Sequence, residues 1–189
     1  MFYKLFHLAI ERGFIDPLTT LPPFSEESLT GLLCYYLNSK NIILRDIPLY
    51  NVQNFTLIKE KAIYLFPANG IAVSEYPLIH ANDIQMNIWG AMRADIMYIG
   101  PDIVTMIENK IGSGFTYGGD KEVGQLARQI DFLMNSKVPV KNLILLSSRD
   151  MFNRPWYRVE FKETLEFKVK FGEVSGYLMC WEDVIDKVL

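Results

Sequence analysis

The chain of 189 residues is 50% hydrophobic, 13% aromatic and 22% charged, with a net charge of -3. That length supports one good-sized core, and the composition excludes a disordered, collagen-like or coiled-coil chain. The charge excludes a histone-like polycation, and no apolar run approaches the ~20 residues of a membrane span, so no membrane partner is expected. At the N-terminus Glu11 and Arg12 interrupt a short apolar stretch, and no signal peptide is read there.

In chain order, a helical segment over 2–12 is followed by the strongest punctuation in the sequence, Asp16 to Pro23 (DPLTTLPP). The domain proper is expected over 25–189, with 1–24 as a helical segment and connector. A helix is predicted from Ser25 to Asn38. Ser25 is its N-cap, acidic residues fill the first turn, and Leu29, Leu32, Leu33, Tyr36 and Leu37 recur at helical spacing. Strands are predicted at Ile42–Pro48, Lys61–Phe66 and Ile71–Ile79. Two more, Arg93–Ile99 and Ile103–Lys110, flank Gly100-Pro101-Asp102 and read as a hairpin. A helix over Asp120–Asn135 carries Val123, Leu126, Ile130, Leu133 and Met134 on one stripe. The run Asn142–Ser147 (NLILLS) reads as a strand buried on both faces. Further extended segments are predicted at Trp156–Phe161, Leu165–Phe171 and Gly176–Cys180, and a closing helix from Trp181. This order predicts an α/β fold: one domain with a mixed β-sheet flanked by helices.

Cys34 and Cys180 sit in apolar patterns and form no CxxC spacing. They read as two buried thiols in a reducing, cytoplasmic compartment. His7 and His80 are far apart and in no zinc or triad setting, so carboxylates and lysine are the expected chemical tools.

Those tools gather in Arg93–Lys110 (RADIMYIGPDIVTMIENK). Period-2 alternation places Glu108 and Lys110 on one face of the second hairpin arm and Asn109 on the other. Two charges on one side of a core strand are costly unless they pair, hold a metal or face a cleft. The hairpin sets Asp95 across from residue 107 or 108, bringing a second carboxylate to Glu108. Adjacent carboxylates repel unless a cation lies between them, and hard oxygen donors suit Mg²⁺ or Mn²⁺ rather than zinc. The competing account is a solvated ion pair on an exposed strand, worth little. Glu26, on the sheet-facing stripe of the first helix with Thr30, Leu33 and Leu37, is the acid that would reach a strand-borne site. A first-turn acid also complements the helix dipole, and Glu27 points away from that stripe. The glycine-rich stretch Ile111–Asp120 reads as a ligand-wrapping loop or a plain link; its GSG lacks a following GK[ST].

Asp95, then Glu108-Asn109-Lys110, then Gln125-Leu126-Ala127-Arg128 at a helix start, resembles the PD-(D/E)XK nuclease superfamily, restriction-endonuclease-like α/β/α proteins. The nearest branch carries an IENK…QLxR signature. Glu26-Glu27-Ser28-Leu29-Thr30 resembles its E-x-x-L-T helix start, and Cys180-Trp181-Glu182-Asp183 its Trp-initiated last helix. The resemblance spans about 25–189, with Ala94 standing where the family's proline would be. It implies that Asp95, Glu108 and Glu26 bind Mg²⁺ or Mn²⁺, that Lys110 stabilises the attacking water or transition state, and that Gln125 orients the site. It further implies a DNA endonuclease, DNA rather than RNA being the expected substrate, in defence, repair or mobile-element biology, and a homodimer. A nuclease-fold protein without cutting activity, serving as a nucleic-acid-binding or assembly module, is the alternative. A third class is an unrelated α/β binding protein whose strand end is an ordinary ion pair. The segment Arg149–Lys170 supplies Arg149, Arg154, Arg158, Lys162, Lys168 and Lys170 around Trp156 and Tyr157. It reads either as a surface for nucleic-acid backbone and bases or as a solvated face of alternating charge.

Overall fold

The apolar run NLILLS lies beside the Ile103–Ile107 run within a seven-stranded mixed sheet. The computed structural model describes residues 30–31, 33–34, 37–38, 43–78, 93–110, 125–168 and 174–188. Its strands are β1 (Leu49–Tyr50), β2 (Leu57–Lys59), β3 (Ile71–Pro77), β4 (Arg93–Ile99), β5 (Ile103–Asn109), β6 (Val140–Ser147) and β7 (Ser175–Cys180). They are ordered β2-β1-β7-β6-β5-β4-β3. β5, β6 and β7 are parallel, whereas β3–β4–β5 and β7–β1–β2 are antiparallel. The helices are α1 (Gln125–Asn135), α2 (Arg149–Asn153), α3 (Pro155–Lys168) and α4 (Trp181–Val188), and residues 30, 31, 33, 34, 37 and 38 are also helical.

Alternation along β6 splits the core into two layers. Leu143 and Leu145 pack with Leu126, Ile130 and Leu133 of α1 and with Tyr157 and Phe161 of α3. Ile144 and Leu146 pack with Leu33, Leu37, Leu65, Trp181 and Val184. Each of these fully buried side chains contributes roughly 1.5–3 kcal/mol relative to exposure, so a strand serving both faces must be apolar throughout. The expected α/β fold with helices on both faces is therefore present. Both cysteines are free and buried, as their apolar surroundings imply. Among the described residues, no helix is long and apolar enough to cross a membrane.

Several local expectations are overturned. Ile43–Asp46 and Ile63–Leu65 are 3-10 helices, not parts of strands at Ile42–Pro48 and Lys61–Phe66. Burial explains the difference. Leu44 and Ile47 are buried, as are Ala62, Leu65 and Phe66, while Ile63 and Tyr64 between them are exposed. That spacing of three and four is helical, not alternating. The extended segments expected at Trp156–Phe161 and at the start of Leu165–Phe171 are replaced by α3, which begins with Pro155 at a first-turn position where proline is tolerated. Tyr157 and Phe161, four apart, face the core, and Trp156 and Val159 are exposed. β1, β2 and α2 were not foreseen; α2 is capped by Ser148, whose hydroxyl accepts from the Met151 N–H. The segments predicted at 2–12, 111–124 and 169–173, and the first turn of the Ser25–Asn38 helix, lie outside the described residues.

Candidate functional site

The predicted hairpin forms with Gly100 at its turn, the Gly100 N–H donating to the Ile103 carbonyl at 2.8 Å. A Cβ there would meet Ile103 Cγ2 at 2.8 Å, so the turn requires glycine. The register pairs Ile96 with Ile107 and Met97 with Met106, and its continuation sets Asp95 opposite Glu108. The regular ladder stops there. On β3, Ser74 pairs with Ile96 and Tyr76 with Ala94, and Glu75 between them takes a left-handed φ of 51°. Ala72 and Ile96 belong to one core layer, Tyr76 and Ala94 to the other, so both strands change face across Glu75 and Asp95. At this kink the Asp95 carboxylate replaces a ladder acceptor: its Oδ2 receives the Asn109 N–H at 2.6 Å.

β5 is buried along its whole length, and its last residues project polar groups to opposite faces. On one face Asn109 receives the Trp181 indole N–H at 3.0 Å and donates to the Thr30 hydroxyl at 3.3 Å. This ties β5 to α4 and to the helix containing Thr30. On the other face, fully buried Glu108 meets Lys110 Nζ at 2.6 Å, with the lysine side chain only 8% exposed. The Lys110 backbone is fixed by its N–H bond to the Leu146 carbonyl at 2.9 Å, which extends the parallel ladder.

Glu108 has two further donors, both from α1. Gln125 Nε2 lies 2.6 Å from its Oε1, and Gln129 Nε2 lies 2.5 Å from its Oε2. Gln125 and Gln129 are one helical turn apart and share a face. An ionised carboxylate only accepts, so both amides must turn their NH₂ groups toward it. Among the described residues, their carbonyl oxygens are buried with no hydrogen-bond partner. Each such orphan costs about 1–3 kcal/mol.

Of the expected residues, Glu108, Lys110 and Gln125 are in direct contact, and Asp95 lies one peptide away on the Asn109 N–H. Glu26 lies outside the described residues. Among the described residues, no three His, Cys, Asp or Glu side chains form a group that could hold a metal. Sequence reasoning missed two members. Alternation puts Asn109 on the far face and assigns it no role, and nothing in the motif points to Gln129 except its place four residues from Gln125 on an apolar helix.

The arginines of 149–158 are engaged internally. Arg149 pairs with Asp183 at 2.5 Å, and Tyr50 donates to the same carboxylate at 2.9 Å. Burial alone would lower the Arg149 guanidinium, but the Tyr50 hydroxyl and nearby negative groups raise it above its ordinary value. Arg154 pairs with Asp150, and Arg158 donates to the Phe152 carbonyl. Trp156 is exposed against Tyr157. No family model, curated protein or solved structure matches the chain.

Proposed function

We propose that the chain is a Mg²⁺- or Mn²⁺-dependent nuclease that hydrolyses phosphodiester bonds, with DNA as its expected substrate. The observation that carries this reading is the buried Glu108–Lys110 pair at the end of β5, one peptide from the Asp95 carboxylate. In open α/β sheets, ligands bind beyond the carboxyl ends of the parallel strands, and β5 ends there. The site's two carboxylates, Asp95 and Glu108, are hard oxygen donors of the kind such a cation takes. Asp95 and Glu108 would hold the ion. Bound there, it supplies charge neutralisation at the phosphate and makes water more acidic.

The remaining work falls to the chain itself. Lys110, fixed through its backbone, brings a cation to the place where negative charge builds on the phosphate oxygens. Low exposure makes that cation worth more than it would be in water. Gln125 and Lys110 share Glu108 Oε1 and hold the carboxylate in one orientation. Asn109, through Trp181 and Thr30, anchors the strand end so that this orientation survives substrate binding.

One observation favours the second reading, a nuclease-fold binding or assembly module. Both Glu108 oxygens already accept protein donors. The test separates the two. Purified protein is incubated with plasmid, linear and single-stranded DNA and RNA, in Mg²⁺, Mn²⁺ or EDTA, beside Lys110→Ala and Glu108→Ala. Metal-dependent cleavage lost in both variants is expected. Nucleic-acid binding without cleavage in every condition would leave the binding module, and neither binding nor cleavage would overturn both.

A further inference from the structure

Trp156 stands in the first turn of α3 and is 55% exposed, whereas Tyr157 beside it is fully buried. The two rings meet nearly at right angles, with 5.6 Å between their centroids. Whether the indole turns its edge or its face to Tyr157, at least one indole face stays clear of that ring. Tyr157 is itself held. It packs against Phe152, and its hydroxyl lies 3.5 Å from Ser147 Oγ, at the last residue of β6. Asn109 pairs with Leu146, so Ser147 is level with Lys110. Tyr157 also shares its core layer with Leu126 and Ile130 of α1, the helix whose glutamines meet Glu108. The indole is therefore held at the carboxyl end of the parallel strands, at the same end and in the same layer as the Glu108–Lys110 pair. An exposed apolar side chain is ordinary by itself; this one is an aromatic ring fixed at the end of the sheet where ligands bind. Cations accompany it. Arg158 and Lys162 lie one turn apart on α3, and Arg154 precedes the helix. The Arg154–Asp150 pair has side chains 50% and 76% exposed, so a phosphate can replace Asp150 at little cost. An exposed acid on the Trp156 stripe, Glu163, is about two turns away.

We infer that Trp156 is a stacking platform for an unpaired base of a single-stranded nucleic acid, with Arg154 meeting a neighbouring phosphate. This rests on the reading above that the chain acts on nucleic acid, and it names the form of the substrate. A base inside a duplex already has neighbours on both faces. An unpaired base stacks on an aromatic side chain whatever its identity, because every base has a π-face. Stacking requires no ion at Glu108, so it holds for a cutting enzyme and for a binding module alike.

The test is binding by the full chain, read in EDTA so that no cleavage intervenes. Fluorescence anisotropy of a labelled single-stranded oligodeoxythymidine, beside a blunt duplex, is measured with the native chain, Trp156→Ala, Trp156→Phe and Val159→Ser. Trp156→Ala is expected to bind the single strand about 5- to 150-fold more weakly and to bind the duplex as the native chain does. Trp156→Phe should recover part of the loss. Val159→Ser, at another exposed apolar position of α3, should bind normally. The single strand should also quench the native chain's tryptophan emission, and that quenching should disappear in Trp156→Phe while binding persists, a signature that lost stability does not produce. Native affinity for the single strand in Trp156→Ala would overturn the inference and leave the nuclease reading standing. An equal loss on the duplex or in Val159→Ser would overturn it too. Dimers of the native chain that Trp156→Ala abolishes, with affinity for the strand unchanged, would assign the indole to a second copy instead. Binding of neither nucleic acid by the native chain would remove the proposed function and this inference with it.

Discussion

Lys110→Met isolates the energetics of the buried pair. It removes the cation 2.6 Å from a carboxylate that is 0% exposed. Breaking a buried pair typically costs about 3–5 kcal/mol because the remaining charge cannot reach water. Here two amide donors stay on Glu108, which brings the expected loss to about 2–3 kcal/mol. Glu108→Leu costs more, about 4 kcal/mol, because it strands Lys110 and leaves the NH₂ groups of Gln125 and Gln129 without their acceptor. In Glu108→Leu/Lys110→Met neither charge is left, so the double variant recovers about 2–3 kcal/mol relative to the sum of the singles. Adding Gln125→Leu and Gln129→Leu removes both amides as well, and stability should return close to the native value, since an apolar replacement of a buried ionic group is often neutral or better. Urea unfolding followed by far-ultraviolet circular dichroism measures all five proteins. Singles that add to within about 0.5 kcal/mol, each near zero, would mean that the pair is solvated, and the placement of a desolvated charge centre at the end of β5 would fall.

Trp181→Phe removes the indole N–H that Asn109 Oδ1 accepts in the core; a loss of about 2 kcal/mol, or a melting temperature roughly 4–8 °C lower, is expected, and an unchanged melting curve would deny Asn109 its anchoring role. Glu75, at φ 51°, occupies a backbone conformation that costs a non-glycine residue about 1 kcal/mol. Glu75→Gly should therefore hold or raise the urea midpoint, because its ion pair with Arg93 is exposed and worth little, and a clear drop would count against the kink. Burial pushes the Cys180 and Cys34 thiols above their ordinary value of 9.0, and the Tyr50 and Tyr98 hydroxyls above 10.0. The unfolded chain then releases protons first, so the stability from these groups is complete below pH 9.0 and is lost as pH rises past it. Melting temperature should fall as pH rises above 9.0, more gently in Cys180→Ala, and neither thiol should react with a disulfide reagent below that pH before unfolding; rapid labelling of the native chain would contradict their burial.

What the sequence disclosed depended on whether its periodicity had one interpretation. NLILLS has no polar position to spare, so only a strand sandwiched between two layers accommodates it, and β6 is that strand. Gly100-Pro101-Asp102 fixes a turn and with it the register opposite Asp95. Lys61–Phe66 was ambiguous because six residues hold too few repeats to separate a period of two from one of three. Only the burial of Ala62, Leu65 and Phe66 distinguishes them. In 156–171, charged and apolar residues alternate closely enough to imitate an exposed strand, and Pro155 was the overlooked sign of a helix start. At the site, the strand's parity and the candidate Gln125 were legible, and how α1 sits over Glu108 was not. The position of α1 over Glu108 is a tertiary fact, set by Leu126, Ile130 and Leu133 packing on Met106, Leu143 and Leu145.

The kink at Asp95 is where the local irregularity and the chemistry meet. An antiparallel ladder carried on past Ile96–Ile107 would need main-chain partners at positions 95 and 108. The left-handed turn at Glu75 releases β4 from its outer neighbour at that same level. β4 can then offer a side-chain carboxylate to the Asn109 N–H, and the acid comes to the peptide joining Glu108 to Asn109. Parallel β5 and β6 keep their register through Lys110, so the strand carrying the pair does not move while its neighbour bends. A rigid strand beside a bent one is how two acids distant in sequence share one end of a sheet. Straightening the bend would return Asp95 to ordinary alternation and part it from the Asn109 N–H. The strain at Glu75 and the proposed acidic centre are therefore two consequences of one departure from the regular hairpin.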